Sequence, residues 1–466
     1  MTSWVPDLRQ RKGPRYLAIA AALSDDADAG RLAPGARLPT HRQLADRLGV
    51  TVGTVTRAYA EAARRSLVSG EVGRGTFVRA PVTRLSLVAS SVRDRADLID
   101  LSPNLPPSSH GDGEAATLAR TLKALSRRKD LGRLLAYPPE GGARAHRAAG
   151  AEWVGRSGLK ATAERTLVSS GSQHGMTAVF AALLGPGDLV VAEALTYPGM
   201  KTLAGLLSLR LEGLGMDDQG LRPDAFAAAC RARRPKALYC VPTLQNPTTS
   251  VMPEERRREI AAIAREHGVL IVEDDVHGRI PEKAPRPLSA FAPELSVYLT
   301  GTSKVLAPGL RIGFIAAPEA LVPRIAAAIR GTTWMAAPLM AEIAASWIAD
   351  GTAESILKRK RKEAAARLRL ADRILGRSDR ARPVAYHLWL QLPKPWRSES
   401  FAEAARQRGV AVTPAPAFAV GRGVLPDAVR VCLGAARDRA QLERGLRVLA
   451  LLLAAAPEPT PLPSGP

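Results

Sequence analysis

The sequence predicts an α/β protein in two parts. A small N-terminal domain of helices is closed by a β-hairpin, and a large domain with a mostly parallel sheet is followed by a smaller C-terminal α/β domain. Three observations predict this. Between residues 14 and 80, amphipathic helix-length segments meet at a tight turn and lead into two short β-prone runs around glycines. From about residue 99, apolar β-branched runs (RTLVSS, DLVVAEA, ALYCVPT, VLIVEDD, SVYLTG, IGFIAA) alternate with alanine-rich helical stretches, the pattern of βα units whose strands are buried on both faces. Beyond about 335 helices dominate, and then come two more strand-like runs, HLWLQL and AVRVCL.

Element by element, residues 14–24 read as a short helix. Thr40 is an N-cap for a helix over 41–48, Gly49 ends it, and Thr51 starts a second helix running to about Arg65. LVSG and TFVRA then form a hairpin wing. The domain boundaries expected are 10–80 for this unit, a linker over 81–98, the large domain over 99–455, and a Pro-rich disordered tail over 456–466.

Composition sets the outer limits. The 466 residues suit two to four domains, and 46% are hydrophobic, enough for real cores. The net charge of +22 favours a polyanionic partner. Residues 1–84 hold 14 Lys and Arg against 7 Asp and Glu, a surplus of only 7, so charge alone does not locate the nucleic-acid site. Three cysteines without metal spacing point to a reduced, cytoplasmic protein, and no metal site is expected. No apolar run nears the roughly 20 residues of a membrane span, and the N-terminal residues have no secretory pattern.

The segment LPTHRQLADRLGVTVGTVTRAYAEA reads as a helix-turn-helix. A recognition helix must show short polar or basic side chains to base edges while its other face packs. Val50, Val55 and Tyr59 fall on the packing face, and Thr51, Thr54 and Arg57 stay polar. Arg42 opens the preceding helix within reach of a phosphate. Arg74 lies at the wing tip between Gly73 and Gly75, where glycine lets backbone approach a duplex.

This segment resembles the winged helix of GntR-family regulators: LPTHRQLADRLGV matches its LPSxRxLAxxLGV stretch and GRGTFV its wing. Thr51, Thr54, Arg42 and Arg74 with Gly75 carry over, and so does Arg57, which serves either packing or a phosphate. The chain departs from the family at Val52-Gly53, where a polar residue normally follows the opening Thr or Ser.

The large domain carries four provisions that pyridoxal phosphate needs: a lysine for the aldehyde, a carboxylate for the pyridine nitrogen, a phosphate cup and a stacking ring. Lys304 follows the strand SVYLT and would form the Schiff base. Asp274, ending VLIVEDD, would pair with the ring nitrogen, and Asp275 is the competing choice, pointing to the other side. SSGSQHG opens a helix with Ser172 and Gln173 at its start, which suits a dianion. Ser303 and Arg311 add a hydroxyl and a cation, Tyr197 would stack, and Asn246 would donate to the ring oxygen.

The order SGSQ, TYPG, QNPT, EDD, SK, PGLRIG resembles fold-type I aminotransferases over roughly 99–455. The resemblance implies that Tyr137 reaches the neighbouring subunit's phosphate in a head-to-tail homodimer, and that Arg430 clamps an α-carboxylate. Where relatives carry a tyrosine after the paired aspartates, this chain has Val276 and His277, and His277 is the candidate for that role. The two halves together resemble the MocR subgroup of GntR regulators. They imply a regulator that binds an operator in double-stranded DNA and senses an amine, an amino acid or the cofactor itself. The same residues would also serve an aminotransferase with an accessory DNA-binding domain.

Overall fold

The computed structural model describes residues 4–8, 13–28, 31–33, 36–64, 67–71, 75–78, 98–107, 113–376, 383–421 and 423–455. Arg74, the expected linker apart from Leu98, and the expected tail lie outside the described residues. The chain divides into two compact units, 1–93 with 419–426, and 94–418 with 427–466.

In the first unit, α1 (Arg15–Asp28), α2 (His41–Leu48) and α3 (Val52–Arg64) precede an antiparallel hairpin of β1 (Val68–Glu71) and β2 (Gly75–Val78). The start of α2 is set locally. Thr40 Oγ1 accepts the Gln43 N–H at 3.3 Å, and Gln43 Oε1 accepts the Thr40 N–H at 3.0 Å, so two otherwise unsatisfied donors are satisfied reciprocally. Gly49 ends α2 with φ +62°, a left-handed conformation that favours glycine. Leu44, Val55 and Tyr59 bury against Ile19 and Leu23 of α1 and against Val68 and Val78 of the hairpin. The Tyr59 hydroxyl donates to the Pro39 carbonyl at 2.9 Å, which ties α3 to the turn before α2. The wing also has a third member that the sequence reading did not include. Leu38 N–H donates to the Thr76 carbonyl and Val78 N–H to the Ala36 carbonyl, so residues 36–38 run along β2.

The second unit is built on a seven-stranded sheet. Its spatial order is Thr166–Ser169, Gly313–Ala316, Ser296–Gly301, Leu270–Asp274, Ala237–Cys240, Leu189–Glu193 and Arg210–Leu214. Only Gly313–Ala316 runs against its neighbours. Strand alternation feeds two cores: Val190 and Ala192 enter one cluster, Leu189 and Val191 the cluster on the opposite face. The edge strand Arg210–Leu214 is absent from the sequence reading, because RLEGL is half-exposed and lacks an apolar run. A smaller three-stranded sheet orders Leu388–Gln391, Ala428–Val431 and Thr413–Pro414. Ile99–Asp100 pairs in parallel with Val410–Ala411, so the first residues of the large unit are fastened to its C-terminal part.

Candidate cofactor pocket and nucleic-acid surface

The pocket gathers at the C-terminal ends of the parallel strands, where a doubly wound sheet presents its loops. The strand Leu270–Asp274 delivers Asp274, and the adjacent strand delivers Tyr239, whose hydroxyl donates to Asp274 Oδ2 at 2.7 Å. Asp274 Oδ1 is buried and has no partner. Burial pushes this carboxyl up to about 6. Asp275 points away: Tyr298 donates to its Oδ2 at 2.6 Å on the opposite face of the sheet. The side-chain period of two thus separates the two candidates in favour of Asp274.

Lys304 is half-buried in the loop after Ser296–Gly301, and its ammonium donates to the Asn104 carbonyl. Burial, and the nearby cations Arg430 and Arg311, pull its amine down to about 8 against the opposing influence of Cys432 and Asp274. Ser303 is half-buried beside it.

The residues expected to cup a phosphate gather around the start of the helix Ser172–Leu183. Gly171 caps it with φ +91°, and a Cβ there would stand 2.7 Å from Arg311 Nη2. The absence of that atom lets the guanidinium lie against the helix start. A Cβ on Gly313 would likewise stand 2.9 Å from the Ser172 nitrogen. Gln173 Oε1 is buried and unpartnered. Tyr197 is half-buried at the start of the helix Pro198–Leu206, and its phenol is raised by burial and by the charge of Asp274, against Arg430 and Arg311.

Arg430 is buried. Its Nη1 donates to Asn246 Oδ1 at 2.8 Å, its Nη2 to the Ser102 carbonyl at 2.7 Å, and the guanidinium lies over the Phe418 ring at 4.7 Å. His277 is buried as well, with Nε2 3.3 Å from Asn104 Nδ2 and its ring 5.8 Å from that of His387. With Asn104 donating to Nε2, the proton belongs on Nδ1, which is unpartnered. Burial and the charge of Lys304 hold this imidazole well below its usual range, so it is neutral. Asn104, Tyr239 and His387 were missed by the sequence reading. Tyr239 gave one signal, a polar-tipped aromatic in an otherwise apolar strand. Tyr137 does not join this cluster through any described bond: it is 74% exposed, with its ring 5.6 Å from Trp334.

The residues present fit pyridoxal phosphate. The test is the orphaned acceptor Asp274 Oδ1, in one pocket with a helix start, an arginine held against it by a glycine, and a lysine whose amine is partly neutral at pH 8. Among the described residues no group of three His, Cys, Asp or Glu could hold a metal, and no helix is long and apolar enough to cross a membrane.

On the first unit, Arg42, Thr51 and Arg57 are exposed and Thr54 is half-buried. Thr51 acts as the cap of α3, accepting the Thr54 N–H at 3.2 Å. Arg57 lies over the Tyr16 ring at 4.5 Å, which gives it a packing role. Gly75 has φ +116° at the start of β2.

Two family models match the chain: "Bacterial regulatory proteins, gntR family" over residues 15–78, and "Aminotransferase class I and II" over 96–449. An uncharacterized HTH-type transcriptional regulator of Bacillus subtilis, YdeF, is 31% identical over 453 residues, covering 97% of each chain. The HTH-type pyridoxine biosynthesis transcriptional regulator PdxR of Corynebacterium glutamicum is 27% identical and covers 72% of each. Among solved structures, the α-aminoadipate aminotransferase LysN of Thermus thermophilus, complexed with N-(5'-phosphopyridoxyl)-L-leucine, is similar at TM-score 0.68 and 26% identity, over 77% of this chain and 92% of that one. The chain therefore belongs to the GntR family of transcriptional regulators through its winged helix and to the aminotransferase class I and II family through the rest, the fusion that defines the MocR subgroup.

Proposed function

We propose that this regulator holds pyridoxal 5'-phosphate on Lys304 and changes its grip on an operator when an amine, an amino acid or the cofactor itself occupies the pocket. The carrying observation is the lysine amine drawn down to about 8 beside the buried, half-unpartnered carboxylate of Asp274. When bound, pyridoxal phosphate supplies an aldehyde that captures amines and a ring that withdraws electrons. The chain supplies the rest. The Lys304 amine, partly neutral near pH 8, is the nucleophile for the aldehyde. Asp274 Oδ1 accepts from the ring nitrogen and holds its proton. Asn246, whose Oδ1 already serves Arg430, keeps its amide N–H groups for the ring oxygen, and His277 Nδ1–H is the second donor there. Tyr197 covers the ring. Ser172, Gln173, Ser303 and Arg311 hold the phosphate, with Tyr137 supplied by the partner in a head-to-tail homodimer. Arg430 takes an effector's carboxylate. Double-stranded DNA meets Arg42, Thr51, Thr54, Arg57, Arg74 and Gly75, and a protein working on chromosomal DNA is cytoplasmic in this reading.

Ligand-dependent regulation follows as a population shift, limited by how differently a ligand binds the two forms. Support comes from relatives: PdxR is named for control of pyridoxine biosynthesis, and LysN holds a phosphopyridoxyl amino acid. The experiment is a visible-absorption titration with pyridoxal phosphate. Wild type gains a band that Lys304→Ala lacks, and candidate amino acids shift it while changing promoter affinity. A wild type that stays colourless in excess cofactor refutes the reading.

A further inference from the structure

The opening turns of α3 present an unusual surface for a recognition helix. Such a helix reads base edges with its first residues, here Thr51, Val52, Gly53, Thr56 and Arg57, all exposed. The threonine hydroxyls each have a partner within the domain. Thr51 Oγ1 lies 2.9 Å from Thr54 Oγ1 and accepts the Thr54 N–H at 3.2 Å. Thr56 Oγ1 donates to the Val52 carbonyl at 3.0 Å and lies 3.3 Å from His41 Nδ1. The Arg57 guanidinium rests over Tyr16 at 4.5 Å. Val52, by contrast, is 43% exposed. Beside it, a Cβ on Gly53 would meet nothing nearer than Thr51 Oγ1 at 3.8 Å, so the backbone there stands clear. The tip of the helix therefore offers an isopropyl group next to bare backbone, and each neighbouring hydroxyl already has a partner within the domain.

We propose that Val52 is a specificity-determining residue that reads thymine. Its isopropyl group packs on a thymine C5-methyl in the major groove, and Gly53 allows the helix to come close enough for that contact. The thymine methyl is the apolar feature on the major-groove edge. The cytosine amino group at the equivalent edge would find no free acceptor on Val52 or Gly53. Each half-site of the operator then carries a thymine opposite the start of α3. This inference rests on the DNA-binding role of the winged helix and is independent of the cofactor.

The test uses the full-length protein and duplexes enriched from a randomised library. In an enriched duplex, each thymine is replaced singly by deoxyuridine, which removes the methyl and leaves the hydrogen-bonding pattern intact. Wild type should lose about fourfold in affinity at one or two thymines per half-site, the value of one buried methyl. Val52→Ala should be insensitive at those same positions, and it should bind the deoxyuridine duplex within about twofold of wild type, since it lacks only the apolar contact. A uridine scan that is flat for wild type, or a Val52→Ala protein as sensitive as wild type, overturns the inference while leaving DNA binding intact. Failure to enrich any duplex overturns the DNA-binding reading and this inference together.

Discussion

Asp274 is set between solvation and charge. Burial raises its carboxyl to about 6, so ionising it inside the fold is unfavourable unless a cation stands opposite Oδ1. An acid raised in the folded state penalises folding fully above its folded pKa, and the penalty disappears as pH falls below the unfolded value near 3.8. Asp274→Asn in cofactor-free protein should therefore be more stable than wild type at pH 8, by on the order of 3 kcal/mol, with most of the advantage gone by about pH 4. With pyridoxal phosphate present the order should reverse, because the variant loses the charge-assisted partner of the ring nitrogen. Thermal melts at pH 4 and 8, with and without cofactor, decide it. An advantage over wild type that is the same at both pH values would mean that the wild-type carboxyl is not strained. Lys304, Asp274 and Asn246 were legible as candidates because each sits in a short motif at or beyond the end of a strand, and Arg430 because it lies inside a strand-like run. Asn104 and His387 were not, because their place depends on residues 98–107 pairing with strands some 300 positions later, a contact that no local pattern encodes.

At the scale of elements, α2 and α3 were readable because their ends carry their own chemistry: the Thr40–Gln43 capping box, Gly49 beyond the last turn, and Thr51 capping α3. Thr40→Ala should cost about 1 kcal/mol, seen as a lower urea midpoint for the first unit. A midpoint unchanged would show the box to be idle. Arg42, exposed on the first turn of α2, should act through phosphate. Arg42→Ala should weaken binding to all duplexes alike and lower the slope of log K against log salt by about 1, and a loss confined to one sequence would make it a base-reading residue instead. Elements lacking such end signals escaped the reading. The strand Arg210–Leu214 is an edge with mixed exposure, and residues 36–38 become a wing strand only through bonds to Thr76 and Val78.

For the molecule as a whole, the charge of +22 predicts DNA affinity that falls steeply with salt. Leu135 and Tyr137 are 91% and 74% exposed, and Trp334, beside Tyr137, is 52% exposed. Apolar side chains grouped this way suit a surface covered by a second copy. If the chain pairs head to tail as proposed, Leu135→Asp should shift sedimentation from dimer toward monomer and weaken cofactor binding on the order of tenfold, because the phosphate contact proposed for the partner's Tyr137 is lost; an unchanged dimer would place the interface elsewhere. Arg430 adds a last consequence. Each of its terminal nitrogens has one partner, the Asn246 amide oxygen or the Ser102 carbonyl, which also receives Thr413 and Cys432, while its Nε is buried without one. In the role proposed for Arg430, an effector carboxylate would meet Nε and the remaining N–H of the terminal nitrogens, beside the bonds that already hold Asn246 and Ser102. Amino acids carry such a carboxylate and simple amines do not, so under the proposed function only the former would load the arginine that holds the chain around residue 102.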